Sequence, residues 1–84
     1  MKPVTIYTTA WCPYCHRAKA LLDKKSVAYD EIDVTMDAKR RDEMEAKAGR
    51  HTVPQIWIGE THVGGSDDLH ALERAGRLDA MLAG

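Results

Sequence analysis

Two cysteines separated by two residues, Cys12-Pro13-Tyr14-Cys15, stand where a strand-forming run gives way to a helix-forming one. They are the only cysteines of an 84-residue chain. A secreted scaffold of this size usually holds itself together with about two to four bridges at wide spacing. A bridge across two residues closes a tiny loop, and chain-entropy stabilisation grows with loop length. The pair therefore serves chemistry, redox or ligation. The fold has to come from a packed core, in a chain short enough to bury only roughly 60–65% of its unfolded surface.

The strand before the pair is Val4-Thr5-Ile6-Tyr7-Thr8, β-branched and aromatic. Pro13 suits the first position of a helix, where its missing N–H costs nothing. Cys15, Ala18, Leu21 and Leu22 then recur at helical spacing, and Lys24-Lys25 place cations at the helix end. Val27–Val34 reads as a second strand, with Tyr29 breaking its alternation. Asp37 can cap a helix over Ala38–Ala48 that Gly49 closes, and this charged helix offers mainly Met44 and alanines to a core. Thr52–Ile58 is a third strand, Gly59-Glu60 a turn and Thr61–Val63 a fourth strand. Ser66 reads as the N-cap of a C-terminal helix with Asp67 and Asp68 in its first turn. Leu69, Leu72, Ala75, Leu78, Met81 and Leu82 form its apolar stripe, broken near Gly76. The order βαβ, helix, β-hairpin, helix predicts an α/β fold. It has a mixed four-stranded sheet, a parallel first pair and helices on both faces, in one domain over 1–84. No repeat, linker or low-complexity segment is visible.

Net charge is −1 and the sequence pI is about 6.4, so nothing draws the chain toward nucleic acid or an anionic membrane. Hydrophobic residues are 44%, too many for a disordered chain at this charge. No apolar run approaches the ~18 residues of a membrane helix, and Met1–Tyr7 lacks the apolar core of a secretory leader. A cytoplasmic protein is expected.

A helix N-terminus carries unpaired N–H groups and roughly half a positive charge. Cys12 sits at that end, so its thiolate is favoured. Cys15 lies one turn in, able to reach Cys12 but more buried and less ionised. Cys12 thus attacks and Cys15 resolves. Making a thiol more acidic gains thiolate but loses nucleophilicity in similar measure, so the net benefit is a better leaving group. That suits a catalyst that bonds to a thiol and then releases it. With His16 the motif reads Cys-x-x-Cys-His, also a haem-attachment pattern, but no export signal accompanies it. Structural zinc needs four ligands, and His16, His51, His62 and His70 offer no pair at finger spacing. Two incidental thiols would leave the spacing and context unexplained.

Elsewhere the residues have ordinary readings beside functional ones. Pro54 can be a trans proline at a strand edge, or a cis one that leaves the preceding N–H and C=O free for a peptide. Gly64-Gly65-Ser66-Asp67-Asp68 can be a turn and a capped helix, or a pocket in which helix N–H groups take a carboxylate and the aspartates an ammonium. A free amino-acid end is the ligand that needs all five. Lys39-Arg40-Arg41 reads as a solvated face, Trp11 packs over the first helix or shapes a groove, and the histidines are solvated or hydrogen-bonded. Trp57 need not share the face of Ile56 and Ile58.

Three segments together, Cys12–Leu22, Thr52–Ile56 and Gly64–Leu69, resemble the glutaredoxin family in order and spacing. The likeness is to short bacterial members of the glutaredoxin-three type and covers nearly the whole chain. The resemblance implies a thioredoxin-like fold and a glutathione-dependent thiol–disulfide oxidoreductase. Cys12 and Cys15 would reduce protein disulfides, and Cys12 alone would remove glutathione from proteins. Glutathione is then a co-substrate, with no tightly bound cofactor and no metal. Its site would draw on Tyr14, Arg41, Thr52, Val53, Pro54, Gly65, Ser66 and Asp67. Val53 would pair with its backbone beside a cis Pro54, Gly65, Ser66 and Asp67 would hold the γ-glutamyl end, and Arg41 would face the glycine carboxylate. The implied partners are glutathione and disulfide-containing or glutathionylated proteins, without nucleic acid or membrane, for a monomer. Thr9 departs from the lysine many relatives carry there, and Ser66 from a cysteine found in some. Two other roles stay open: an electron donor recharged by thioredoxin reductase, and a glutathione-ligated iron–sulfur module, against which Pro13 argues by analogy.

Overall fold

The computed structural model describes residues 1–84. Its strands are β1 (Val4–Thr8), β2 (Asp30–Asp33), β3 (Gln55–Ile58) and β4 (Thr61–Gly64). They form one sheet in the order β2-β1-β3-β4, with β1 parallel to β2 and the β1–β3 and β3–β4 pairs antiparallel. The helices are α1 (Pro13–Lys24), α2 (Ala38–Ala48), α3 (Ser66–Arg74) and α4 (Leu78–Ala83). This is the thioredoxin-like α/β arrangement with helices on both sides of the sheet.

Successive side chains of a strand point to opposite faces, and that alternation divides the core. Val4 and Ile6 of β1 and Ile56 and Ile58 of β3 join Ala18 and Leu22 of α1, Leu69 of α3 and Leu78 and Leu82 of α4. Tyr7 and Trp57 point the other way, to Met44 of α2 and Val34. Trp57 therefore does face away from its isoleucine neighbours. The first face buries ten residues and the second four, so the α1/α3/α4 side dominates the packing. Truncating fully buried Leu69 to alanine would cost about 2–5 kcal/mol, a large part of a small domain's stability.

α2 occupies the expected residues: the Asp37 carboxylate accepts from Arg40 N at 3.0 Å, and Gly49 closes it at φ 69°. Gly76, at φ 70°, separates α3 from α4. Other boundaries differ from expectation. β2 is shorter than 27–34, because Val27 N–H bonds the Leu22 carbonyl as the chain leaves α1 and Tyr29 packs on the larger core before pairing begins. β3 starts at Gln55 rather than Thr52, since Pro54 has no N–H to give a ladder. β4 runs on to Gly64. Ser66 is not an N-cap: Gly65 holds that position, its N–H taken by the Asp68 carboxylate at 2.9 Å. Trp11 is 89% exposed and does not pack over α1. No helix is long and apolar enough to cross a membrane.

Candidate functional site

Pro13 opens α1, and Cys12 is its N-cap in an extended conformation. The Cys12 Sγ accepts the Cys15 backbone N–H at 3.1 Å, so one of the helix's unpaired donors points at the sulfur. Cys12 is 8% exposed and Cys15 1%. Burial first, and then the neighbouring Cys12, push the Cys15 thiol up to about 12. Both are free thiols. The asymmetry read from the spacing is present: the outer sulfur meets helix N–H and the inner one is sealed in.

The Val53 carbonyl lies 3.6 Å from Cys12 Sγ and accepts from its thiol. The Val53–Pro54 peptide is cis. The Val53 N–H makes no backbone hydrogen bond, because Val53 precedes β3 and has no strand opposite it. Beyond Pro54 comes the start of α3. A Cβ built on Gly65 would stand 3.6 Å from the Pro54 carbonyl, so the helix end abuts this segment. The first intrahelical bond of α3 is Leu69 N–H to Gly65 O, which leaves the Ser66, Asp67 and Asp68 N–H groups without an acceptor in the helix.

Cys12, Cys15, Val53, Pro54 and Gly65 are thus contiguous, with Ser66 and Asp67 on the adjoining turn. Ser66 is buried, its hydroxyl 3.3 Å from His70 Nδ1. The two aspartates divide. Asp68 takes the Gly65 N–H and pairs with Arg50 at 3.1 Å, and these hold its carboxyl below the usual range. Only Asp67, exposed and outside the chain's ion pairs, remains open to a ligand ammonium. Tyr14, 54% exposed, stands on the first turn of α1 with the Arg17 guanidinium 6.0 Å from its ring centroid. Arg41 is less free than a solvated face suggests: it donates to the His51 carbonyl at 2.7 Å and to Glu45 at 3.3 Å. That ties it to the chain entering Thr52, with no hydrogen bond to Cys12.

Sequence reasoning gave no role to Gln55, His62 or Arg50. A lone amide heading an otherwise apolar strand was the available signal for Gln55, which the structure buries completely. Burial and nearby Arg50 lower the His62 pKa. Another network runs from buried Thr8 to Glu31 at 2.7 Å and on to Lys19 at 3.0 Å, one turn beyond Cys15. No three His, Cys, Asp or Glu side chains gather as a ligand set. None of the surface hollows is lined by Cys12, which is itself largely buried.

The glutaredoxin family model matches residues 4–63. A glutaredoxin of Pseudomonas aeruginosa is 66% identical over 83 residues, covering 99% of each chain. Glutaredoxin 3 of Escherichia coli K12 is 52% identical over 82 residues, covering 98% of this chain and 99% of that one. Among solved structures, the solution structure of glutaredoxin from Brucella melitensis superposes with a TM-score of 0.87 at 54% identity, over 98% of this chain and 89% of that one. The crystal structure of the buckwheat glutaredoxin–glutathione complex gives a TM-score of 0.90 at 29% identity, over 98% and 77%.

Proposed function

This chain belongs to the glutaredoxin family and is a glutathione-dependent thiol–disulfide oxidoreductase, and from that premise we propose how its residues divide the work. Cys12 is the nucleophile. The observation that carries this is the pairing of its sulfur with the Cys15 N–H on one side and the Val53 segment on the other. On a glutathionylated protein, the Cys12 thiolate attacks the glutathione sulfur. The protein leaves as its thiol, and Cys12 is left bonded to glutathione. A second glutathione thiolate then attacks that glutathione sulfur, freeing Cys12 and forming oxidised glutathione.

On a protein disulfide, Cys12 attacks one sulfur and the other leaves as a thiolate that takes up a proton. Cys15 then gives up its proton and attacks the Cys12 sulfur, releasing the substrate's second thiol and leaving a Cys12–Cys15 disulfide. Two glutathiones, one electron each, restore the dithiol. Cys15 reacts only at this step, because its thiol stays protonated until Cys12 holds a substrate against it.

Glutathione lies extended across the Val53–Pro54 segment. Its backbone pairs with Val53, whose N–H is open. Its γ-glutamyl carboxylate takes the first open N–H groups of α3, at Ser66 and Asp67, beside Gly65, which has no side chain to obstruct it and whose own N–H is held by Asp68, and its ammonium faces the Asp67 carboxylate. Tyr14 borders the thiol. Arg41, held at His51 beside Thr52, supplies the cation for the glycine carboxylate that Thr9 cannot. The protein works as a cytoplasmic monomer on disulfide-containing and glutathionylated proteins. A coupled assay with a small glutathione mixed disulfide, glutathione, glutathione reductase and NADPH tests the reading. Steady NADPH consumption proportional to the protein is expected. Turnover with thioredoxin reductase but none with glutathione would overturn it.

A further inference from the structure

Gln55 is completely buried at the head of β3, between Pro54 and the apolar Ile56-Trp57-Ile58. Its Nε2 donates to the Thr52 carbonyl at 2.9 Å and lies 3.3 Å from Thr52 Oγ1. A carbonyl can only accept, so the NH2 end of the amide faces Thr52 and its oxygen faces away. That oxygen meets His62 Nε2 at 2.7 Å. An amide oxygen also can only accept, so His62 carries a proton on Nε2. The ring is held in that aim by a tilted stack on Trp57, centroids 4.7 Å apart. The donors therefore run one way, from His62 through Gln55 to Thr52.

Packing alone does not call for an amide here, since a leucine has similar bulk and no polar atoms to satisfy. What the amide adds is a grip on Thr52, the residue before Val53. Val53 in turn offers its carbonyl to Cys12 and leaves its N–H open. We propose that Gln55 and His62 are positioning residues that hold the Thr52–Val53 backbone in register for an extended thiol peptide, glutathione first of all. The assignment rests on the glutathione site proposed above. Neither side chain touches the reacting sulfur. Their effect falls on substrate binding, equally in ground and transition states.

Three variants separate this role from plain stability. Gln55→Leu removes the grip on Thr52. His62→Phe keeps the ring on Trp57 but deletes the donor, and His62→Gln returns an N–H donor. In the coupled assay Gln55→Leu should raise the glutathione KM about five-fold, the worth of one well-placed hydrogen bond, with kcat unchanged. His62→Phe should raise it about two-fold and His62→Gln should recover it. Nitrogen-15 NMR of the wild-type protein at neutral pH should show His62 protonated on Nε2 and bare on Nδ1. The rate of Cys12 alkylation should stay as in the wild type. An unmoved KM in Gln55→Leu, a fall in kcat alone, or an Nδ1–H tautomer would overturn the proposal. If Gln55→Leu does not fold, the two His62 variants and the tautomer decide it. Asp67→Ala separates the two readings. A raised KM there beside an unmoved one in Gln55→Leu sinks the positioning role only, whereas no change in either sinks the glutathione site itself.

Discussion

The N-terminal ends of α1 and α3 both abut the Val53–Pro54 segment, and both carry the unpaired N–H groups of a helix start. They use them differently. At α1 the cap is Cys12 itself, whose sulfur takes the Cys15 N–H, so the field of the helix end is directed onto a group of the protein. At α3 the cap is Gly65, which has no side chain, and the acid that would serve as a cap comes from inside the helix. Asp68 reaches back to the Gly65 N–H and is anchored by Arg50, leaving the N–H groups of the first turn open. One helix end is taken up by the protein's own sulfur, and the other leaves its N–H groups free to meet an incoming anion. The lesson is that a capping motif can preserve a binding site by satisfying the N–H behind it.

The sharpest way to break this comparison is at α1. Cys12→Ser should abolish all thiol exchange, whereas Cys15→Ser should lose reduction of protein disulfides but keep removal of glutathione from small mixed disulfides. Assays of both variants against both substrate types would show it, and an active Cys12→Ser would end the assignment. Alkylation of the folded wild-type protein should mark Cys12 alone across the neutral range, because the Cys15 thiol is pushed up to about 12. Mass mapping of the modified cysteine checks this.

At α3 the largest effect is expected from Gly64→Ala. Gly64 has φ 115°, which only glycine adopts easily, and an added Cβ would run into the Asp68 carboxylate that Arg50 and Gly65 hold. A loss of about 1–3 kcal/mol in urea unfolding is expected, with a raised glutathione KM as the cap shifts. Asp67→Ala should be milder and confined to binding. It should lose about 1 kcal/mol, or roughly five-fold in glutathione affinity, with no such loss for a dithiol reductant lacking an amino-acid end. Equal losses for both reductants would mean that Asp67 only favours the helix.

The smallest expected effect is a pH dependence. The Gly65 N–H and Arg50 depress the Asp68 pKa, so the folded chain binds that proton less readily than the unfolded one. The stability this contributes is complete above the ordinary carboxylate range and is lost as pH falls through the lowered value. Urea midpoints between pH 7 and acid should therefore fall less steeply in Asp68→Asn than in the wild type. Parallel curves would remove Asp68 from the account of α3.

Much of this was legible along the chain because it is local. Pro13 at the first helical position, the Asp37 and Gly49 ends of α2 and the break at Gly76 each depend on a residue and its near neighbours. The alternation Ile56-Trp57-Ile58 left Trp57 free to take the opposite face, and it does. The spacing of Cys12 and Cys15 placed one sulfur at a helix end and one within it. The three motifs that mark the glutaredoxin family were likewise present as strings.

Other features needed the assembled chain. Ser66 reads as a cap, but Gly65 holds that place, and its N–H goes to the Asp68 carboxylate, which pairs with Arg50 from before β3. Arg41 reads as solvated, and its partner is the carbonyl of His51, ten residues on. The buried Gln55 meets His62 only when β3 and β4 pair as neighbouring strands. Periodicity and capping act within about one helical turn or one strand pair, so sequence alone determined the elements, the faces they bury and the order of the two thiols. Which polar groups find each other across the sheet depends on distances between remote segments. Only the tertiary structure decided that, because only packing brings those donors and acceptors within hydrogen-bonding range.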